Sequence, residues 1–270
     1  MGKNNYEICL FSGTGTTRKM NQDNFYFNGR IHRDPYSDQI ISKQLFTDGV
    51  FAVCDGMGGE NDGEKASLIA VESLSELPSG HPAYEDVCTC IDLANQQVCH
   101  NINQTKKRSG TTIVLGALTE DSLDVYNIGD SKCFLCRGGT LMQLSKDHTL
   151  GAQMIDAGIL TKEQARTDKR SHQLSQHIGI FPDDMTLSVF RNQSIPLQKD
   201  DILILCSDGL TDGLTDEEIA NLAENNQQLE NPAMLLANTA MQKGSKDNVT
   251  VIFIRKLTKS GGFSLFRRRK

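Results

Sequence analysis

The chain has 270 residues, 38% of them hydrophobic, and a formal net charge of −6. That length supports one large core, and the acidic balance argues against nucleic-acid binding unless basic residues cluster. The one such cluster is the end, FRRRK at Phe266 to Lys270, and no apolar run approaches the roughly 20 residues of a membrane span.

The opening stretch, MGKNNYEICLFSGTG, has no apolar signal-peptide core, and it carries Tyr6 where a myristoylation signal needs Ser or Thr. The expectation is a soluble, cytoplasmic protein. Short β-branched or aromatic runs bounded by Gly, Asp or Asn then predict strands. They are Tyr6–Gly13, Asn24–Phe27, Val50–Asp55, Thr111–Leu118, Leu123–Gly129, Lys132–Arg137, Met185–Phe190, Asp201–Asp208 and Val249–Lys256. Leu123–Arg137 and Gly139–Leu144 follow too closely for helical crossovers and read as an antiparallel meander. Helical spacing of apolar residues predicts helices over Asp62–Leu77 and Tyr84–Thr105, and a short pair over Thr149–Ala157 and Lys162–Thr167. Another follows a capping box made by Thr215 and Glu218, and the last covers Pro232–Lys243. Strands grouped among paired helices, without strict alternation, predict an α+β fold with mostly antiparallel sheet. One domain over 1–257 is expected, followed by a loose basic tail over 258–270.

Eight cysteines raise the question of zinc or disulfides. Cys133 and Cys136 have zinc-like spacing but lie in a predicted strand, where residues three apart face opposite ways. Buried free thiols in a reducing compartment are expected instead.

Five aspartates flank predicted strands. Asp55 and Asp208 follow apolar runs and are each followed by Gly. Asp130 follows Gly129, while Asp23 and Asp247 each stand just before a strand. A strand end fixes the backbone while the adjoining loop can bend to a ligand, and Gly after Asp brings a carbonyl within reach. Should these ends meet, carboxylates converge with no sequence-adjacent Lys or Arg to pair with. Their repulsion in poor solvent would drive protonation, and a hard divalent cation relieves it. Carboxylate and carbonyl oxygens suit Mg2+ or Mn2+ rather than zinc or copper. Taken singly, each Asp-Gly is an ordinary turn.

The stretches RKMNQDN, VCDGMGG, SGTTIVLGAL, YNIGDSKCFL, KDHTL, LCSDGLTDGL and SKDNVTVIFI, read together and in this order, resemble the type 2C metal-dependent protein Ser/Thr phosphatases in their compact bacterial form. The resemblance spans Tyr6 to Lys256. It implies two stacked antiparallel sheets flanked by helix pairs, with metals in a cleft at one sheet edge. It implies that Asp55 bridges two metals, Mn2+ or Mg2+, that the Gly56 carbonyl holds the second, and that Asp208 and Asp247 complete the first. It further implies that Asp23 supports the metal shell, that Asp130 holds a weaker third metal, and that Arg18 grips the substrate phosphate. Phosphorylated proteins would be the substrates, and a Ser/Thr kinase and its substrates the partners.

Two departures stand out. Gln22 replaces a frequent Glu, and Met57 stands where some members have a His proposed as general acid. His148 and His172 are the nearest substitutes, and both read more simply as solvated loop residues. Residues 151–179 resemble the family's mobile flap, in which Ser171 aligns with a position near the third metal. No Cys-based phosphatase loop, Asp-x-Asp-Thr pair or nucleotide P-loop is present, so hydrolysis without a phosphoenzyme is expected. The rival readings are a silent phosphatase-like scaffold and a metal phosphohydrolase of small phosphoesters. A monomer is expected, with at most weak membrane-surface contact through the tail.

Overall fold

The computed structural model describes residues 5–58, 62–78, 80–168 and 170–257. The tail over 258–270 lies outside the described residues. Two six-stranded sheets form the centre, and every strand pairing is antiparallel.

The first sheet is built from β1 (Tyr6–Gly13), β4 (Gln39–Phe46), β10 (Lys132–Arg137), β11 (Thr140–Gln143), β13 (Ile202–Cys206) and β14 (Val249–Lys256), in the order β11-β10-β13-β14-β1-β4. The second comprises β2 (Asn24–Phe27), β3 (Arg30–Ile31), β5 (Gly49–Cys54), β8 (Ile113–Leu118), β9 (Ser122–Ile128) and β12 (Phe190–Pro196), in the order β12-β9-β8-β5-β2-β3. A two-stranded ribbon joins β6 (Gly56–Met57) to β7 (Gly110–Thr111).

Period-two alternation explains the layering. Tyr6, Ile8 and Leu10 of β1 point between the sheets, where they meet Phe51, Val53, Leu205 and Ile254. Cys9 and Phe11 of the same strand point outward. That outer face is covered by α5 (Asp208–Gly213), α6 (Asp216–Asn225) and α7 (Pro232–Gln242), through Leu210, Ile219, Leu236 and Ala240. The outer face of the second sheet is covered by α1 (Gly63–Ser73) and α2 (Tyr84–Thr105), through Ala66, Ala70, Ile91 and Val98. Strands buried on both faces read as unbroken apolar runs, and this is why they were legible. The expected α+β sandwich of stacked antiparallel sheets with flanking helices is what the chain forms. Thr215 and Glu218 form the expected capping box on α6.

Four expectations need correction. The meander is only half formed: β10 and β11 pair antiparallel as expected, but β9 pairs within the second sheet and β10 within the first, so the chain changes sheets across Gly129 to Ser131. Gly129 makes this possible with φ +99°, a conformation costly for side-chain-bearing residues. The strand expected at Met185–Phe190 lies instead at Phe190–Pro196, an edge strand whose register shifts between Asn192 and Ile195. Edge strand β4 was not anticipated, because its burial is mixed and Ile40 and Leu45 face solvent. The strand expected over Asp201–Asp208 ends at Cys206, and Asp208 begins α5, a helix not anticipated; α3 (Leu150–Asp156) and α4 (Lys162–Thr167) lie between β11 and β12 as expected. Among the described residues, no helix is long and apolar enough to cross a membrane.

Candidate active site

The strand ends carrying Asp23, Asp55, Asp130, Asp208 and Asp247 come together at one edge of the sandwich. Asp23 and Asp55 belong to the second sheet, at the start of β2 and the end of β5. Asp208 and Asp247 belong to the first, after β13 and before β14, and Asp130 sits where the chain crosses between sheets. Asp23 is 2% exposed, whereas the other four are partly open to solvent.

Their electrostatics show how closely they approach. Burial first, and then repulsion from Asp208, Asp23, Asp130 and Asp247, push the Asp55 carboxyl well above the usual range. Asp208 is pushed up to about 8 by burial and by Asp130, Asp212, Asp247 and Asp23. Burial raises Asp23 to about 7, against the pull of hydrogen bonds from Ser207 and Thr250. Asp130 rises to about 6 through burial, tempered by Lys132. The expectation of no sequence-adjacent cation needs correction: Lys246 stands directly beside Asp247, and Lys132, two residues from Asp130, is ion-paired with Asp147. Such a group of carboxylates favours either protons or a bound cation.

The backbone around Asp55 is tightly held. Its N–H donates to Thr112 Oγ1 at 3.0 Å, and its carbonyl accepts from Thr111 Oγ1 and from Thr112 N–H, both at 2.9 Å. Gly56 follows because nothing larger fits: an added Cβ would lie 2.3 Å from the carbonyl oxygens of Gln22 and Gly63. A Cβ on Gly209 would lie 2.0 Å from the Asn248 carbonyl oxygen, so the turn after Asp208 packs directly on the residue after Asp247.

Arg18 reaches the cluster but lies on Asp247. Its Nε donates to Oδ1 at 3.0 Å and its Nη2 to Oδ2 at 2.7 Å. Among the described residues, no three His, Cys, Asp or Glu side chains already form a group that could hold a metal ion. The donor set nonetheless fits a hard cation. It is all oxygen, and Asp208 Oδ1 is buried with no hydrogen-bond partner. Release of Asp247 by Arg18 would add a further carboxylate.

The protein phosphatase 2C family model matches residues 15–152 and 191–249. The chain belongs to the protein phosphatase 2C family. It is 30% identical over 243 residues to the serine/threonine phosphatase stp of Listeria monocytogenes serotype 4b (strain F2365), a match covering 86% of this chain and 95% of that one. It is 29% identical over 260 residues to protein phosphatase PhpP of Streptococcus pneumoniae serotype 2, covering 92% and 96%. Among solved structures, the S. agalactiae serine/threonine phosphatase superposes with a TM-score of 0.79 at 25% identity, covering 94% of this chain and 100% of that one. The catalytic domain of the serine/threonine phosphatase PstP in complex with two manganese ions has a TM-score of 0.70 at 25% identity, with coverage of 93% and 100%.

Met57 lies in the ribbon strand β6. His148 is buried and accepts from Gly129 N–H through Nδ1 at 3.2 Å, which ties it to the sheet crossing. His172 and Ser171 line a cavity of about 270 Å3 together with Asp130, Asp208 and Asp212. Ser171 Oγ is buried there without a hydrogen-bond partner.

Sequence reasoning passed over several supporting residues. Asn248 accepts from Gln22 N–H at 2.8 Å and donates to the carbonyls of Thr14 at 3.1 Å and Met20 at 3.0 Å, pinning the loop that carries Arg18. Ser207 donates to Asp23 Oδ2 at 2.7 Å and accepts from Thr250 N–H at 3.0 Å. Their only signal was adjacency: each stands beside an aspartate already singled out.

Proposed function

We infer that this chain is a protein serine/threonine phosphatase that hydrolyses phosphoserine and phosphothreonine with water, using two divalent cations and no phosphoenzyme. The observation that carries the reading is the meeting of five strand-end aspartates, from both sheets, in a phosphatase 2C chain. In this reading Asp55, the Gly56 carbonyl, Asp208 and Asp247 would hold two Mn2+ or Mg2+ ions, with Asp55 shared between them. Asp23 would support that shell and Asp130 would hold a weaker third ion. When bound, two such cations supply Lewis-acid polarisation of the phosphate and lower the pKa of water toward neutrality.

The remaining work falls to the chain's own groups. Arg18 leaves Asp247 and presents its planar fork to two phosphate oxygens, a geometry Lys cannot match. Met57 offers no proton to the leaving alkoxide. His148 is occupied by Gly129, whereas His172 shares the cavity of Asp130 and Asp208. The substrates are phosphorylated proteins, with a Ser/Thr kinase and its substrates as partners of a cytoplasmic monomer.

The test is hydrolysis of a phosphothreonine peptide with and without added Mn2+. Phosphate release that depends on Mn2+ is expected. Turnover confined to nucleotide or sugar phosphates, or none at all, would overturn the assignment.

A further inference from the structure

A groove of about 560 Å3 opens beside the aspartate cluster, on the far side of Met57. Its floor is continuous with the backbone that holds Asp55. Met57 pairs with Gly110 in the ribbon, and Thr111 exchanges backbone hydrogen bonds with Ile178 at 3.0 and 2.9 Å. Three chain segments thus form one small sheet that connects the groove to Asp55.

The far wall is equally fixed. The Asn95 side chain of α2 donates to the Ile180 carbonyl at 3.0 Å and accepts from Gly179 N–H at 2.7 Å. This clamp fixes the segment of Ile180 and Phe181, which together with Met57 and Ile102 gives the groove an apolar lining. Three polar features remain unused by the fold, one of them the exposed Asp184 carboxylate, which shares the lining with the other two. Ser109 Oγ is buried in the groove wall without a hydrogen-bond partner. Arg108 stands exposed at the rim with no ion pair among the described residues.

The distances suit a substrate chain. Met57 is two residues from Asp55, so its Cα lies at most about 7 Å from that of Asp55, at roughly 3.3–3.6 Å per extended residue. A peptide whose phosphate sits at the aspartate cluster therefore places a side chain one to three residues away over the groove. The volume lies within the ~300–1,000 Å3 typical of built ligand sites, enough for a large side chain and its backbone.

We propose that this groove is the subsite for a large apolar side chain one to three residues from the phosphorylated residue, with Arg108 receiving a carboxylate beside it. The inference rests on the phosphatase reading above and adds the class of protein substrate. The apolar walls reward Leu or Phe over Ala, and the unpaired guanidinium rewards Glu over Lys.

The experiment measures kcat/KM, with Mn2+, on phosphothreonine peptides in which Leu or Phe is walked through the three positions on each side, in an alanine background. Glu is then added next to the preferred position, and p-nitrophenyl phosphate serves as a substrate too small to enter the groove. One register is expected to be preferred by about tenfold or more. Phe181→Ala should erase the apolar preference and Arg108→Glu the acidic one, each leaving turnover of the small substrate unchanged. A flat scan beside normal p-nitrophenyl phosphate turnover overturns the subsite alone, as does a preference that survives in both variants. Absence of turnover on every substrate overturns the phosphatase reading and the subsite with it.

Discussion

Arg18 and Asp247 face each other as fork to fork, with hydrogen bonds of 3.0 and 2.7 Å. Their side chains are 53% and 35% exposed, so the pair contributes little to stability. Both Asp247 oxygens are committed to the guanidinium, and under the proposed metal assignment a cation would need at least one of them. Under that assignment Arg18 would compete with the cation for Asp247 and be freed for phosphate once the site loads.

Arg18→Ala should therefore act in two opposite directions. Titration calorimetry should show tighter Mn2+ binding, because a competing cation and a local positive charge are removed. Peptide KM should rise about tenfold or more, the scale of losing charge-assisted hydrogen bonds. Unchanged Mn2+ affinity would contradict the competition.

Asp55→Asn should cost about a hundred- to thousandfold or more in turnover, since an amide cannot supply the charge a bridging ligand needs. It should not unfold the protein. Removing one member of a mutually repelling group should leave the metal-free melting temperature equal or higher. The upward shift of melting temperature on adding Mn2+ should shrink. Wild-type turnover in this variant would exclude the two-metal assignment.

The metal-free protein should lose stability as pH rises. Asp130, Asp23 and Asp208 are raised to about 6, 7 and 8, so the folded state holds protons that the unfolded state has already released. The stability these protons lend is full below the unfolded value of about 4 and is lost progressively as pH climbs through the folded values. Thermal melts in chelator from pH 4 to 8 should fall, and saturating Mn2+ should flatten the slope. A rising melting temperature over this window would refute the clustering of protonated carboxylates.

Alkylation under native conditions should leave turnover intact. Seven of the eight cysteines are buried and Cys88 is half-buried. Burial raises the Cys9, Cys90, Cys136 and Cys206 thiols to about 12, so the reactive thiolate is scarce. Cys133 and Cys136 face opposite sides of β10, one between the sheets and one toward α6. Mass spectrometry should find modification confined to Cys88. Stoichiometric inactivation from which phosphopeptide protects would reopen a thiol mechanism.

What could be read from the chain alone followed the range of the forces involved. Apolar runs announce a strand's faces, and the aspartates at their ends stood out because a charge there breaks an apolar pattern. Which strand pairs with which is a non-local matter, so β9 and β10 read as neighbours although Gly129 sends them into different sheets. Edge strands such as β4 and β12 are weakly patterned because one side lacks a partner. The bond from Ser207 to Asp23 joins residues 184 positions apart, and the anchoring by Asn248 of the loop near Gln22 spans 226. The only local mark of Ser207 or Asn248 is the aspartate beside it. The Arg18–Asp247 pair was equally invisible, since the resemblance assigns Arg18 to the phosphate and its partner lies 229 positions away.

The position of β14 has a consequence for the timing of activity during synthesis. This strand is the last of the described residues to be made, yet it lies in the interior of its sheet, between β13 and β1. It also brings Asp247 and Asn248 with it. Until it inserts, β1 and β13 have no shared neighbour, the Arg18 loop has no anchor, and the carboxylates of the two sheets are not yet opposed. In the proposed reading, a chain not yet made through Asn248 would therefore be inert, its dephosphorylating power waiting on the insertion of β14.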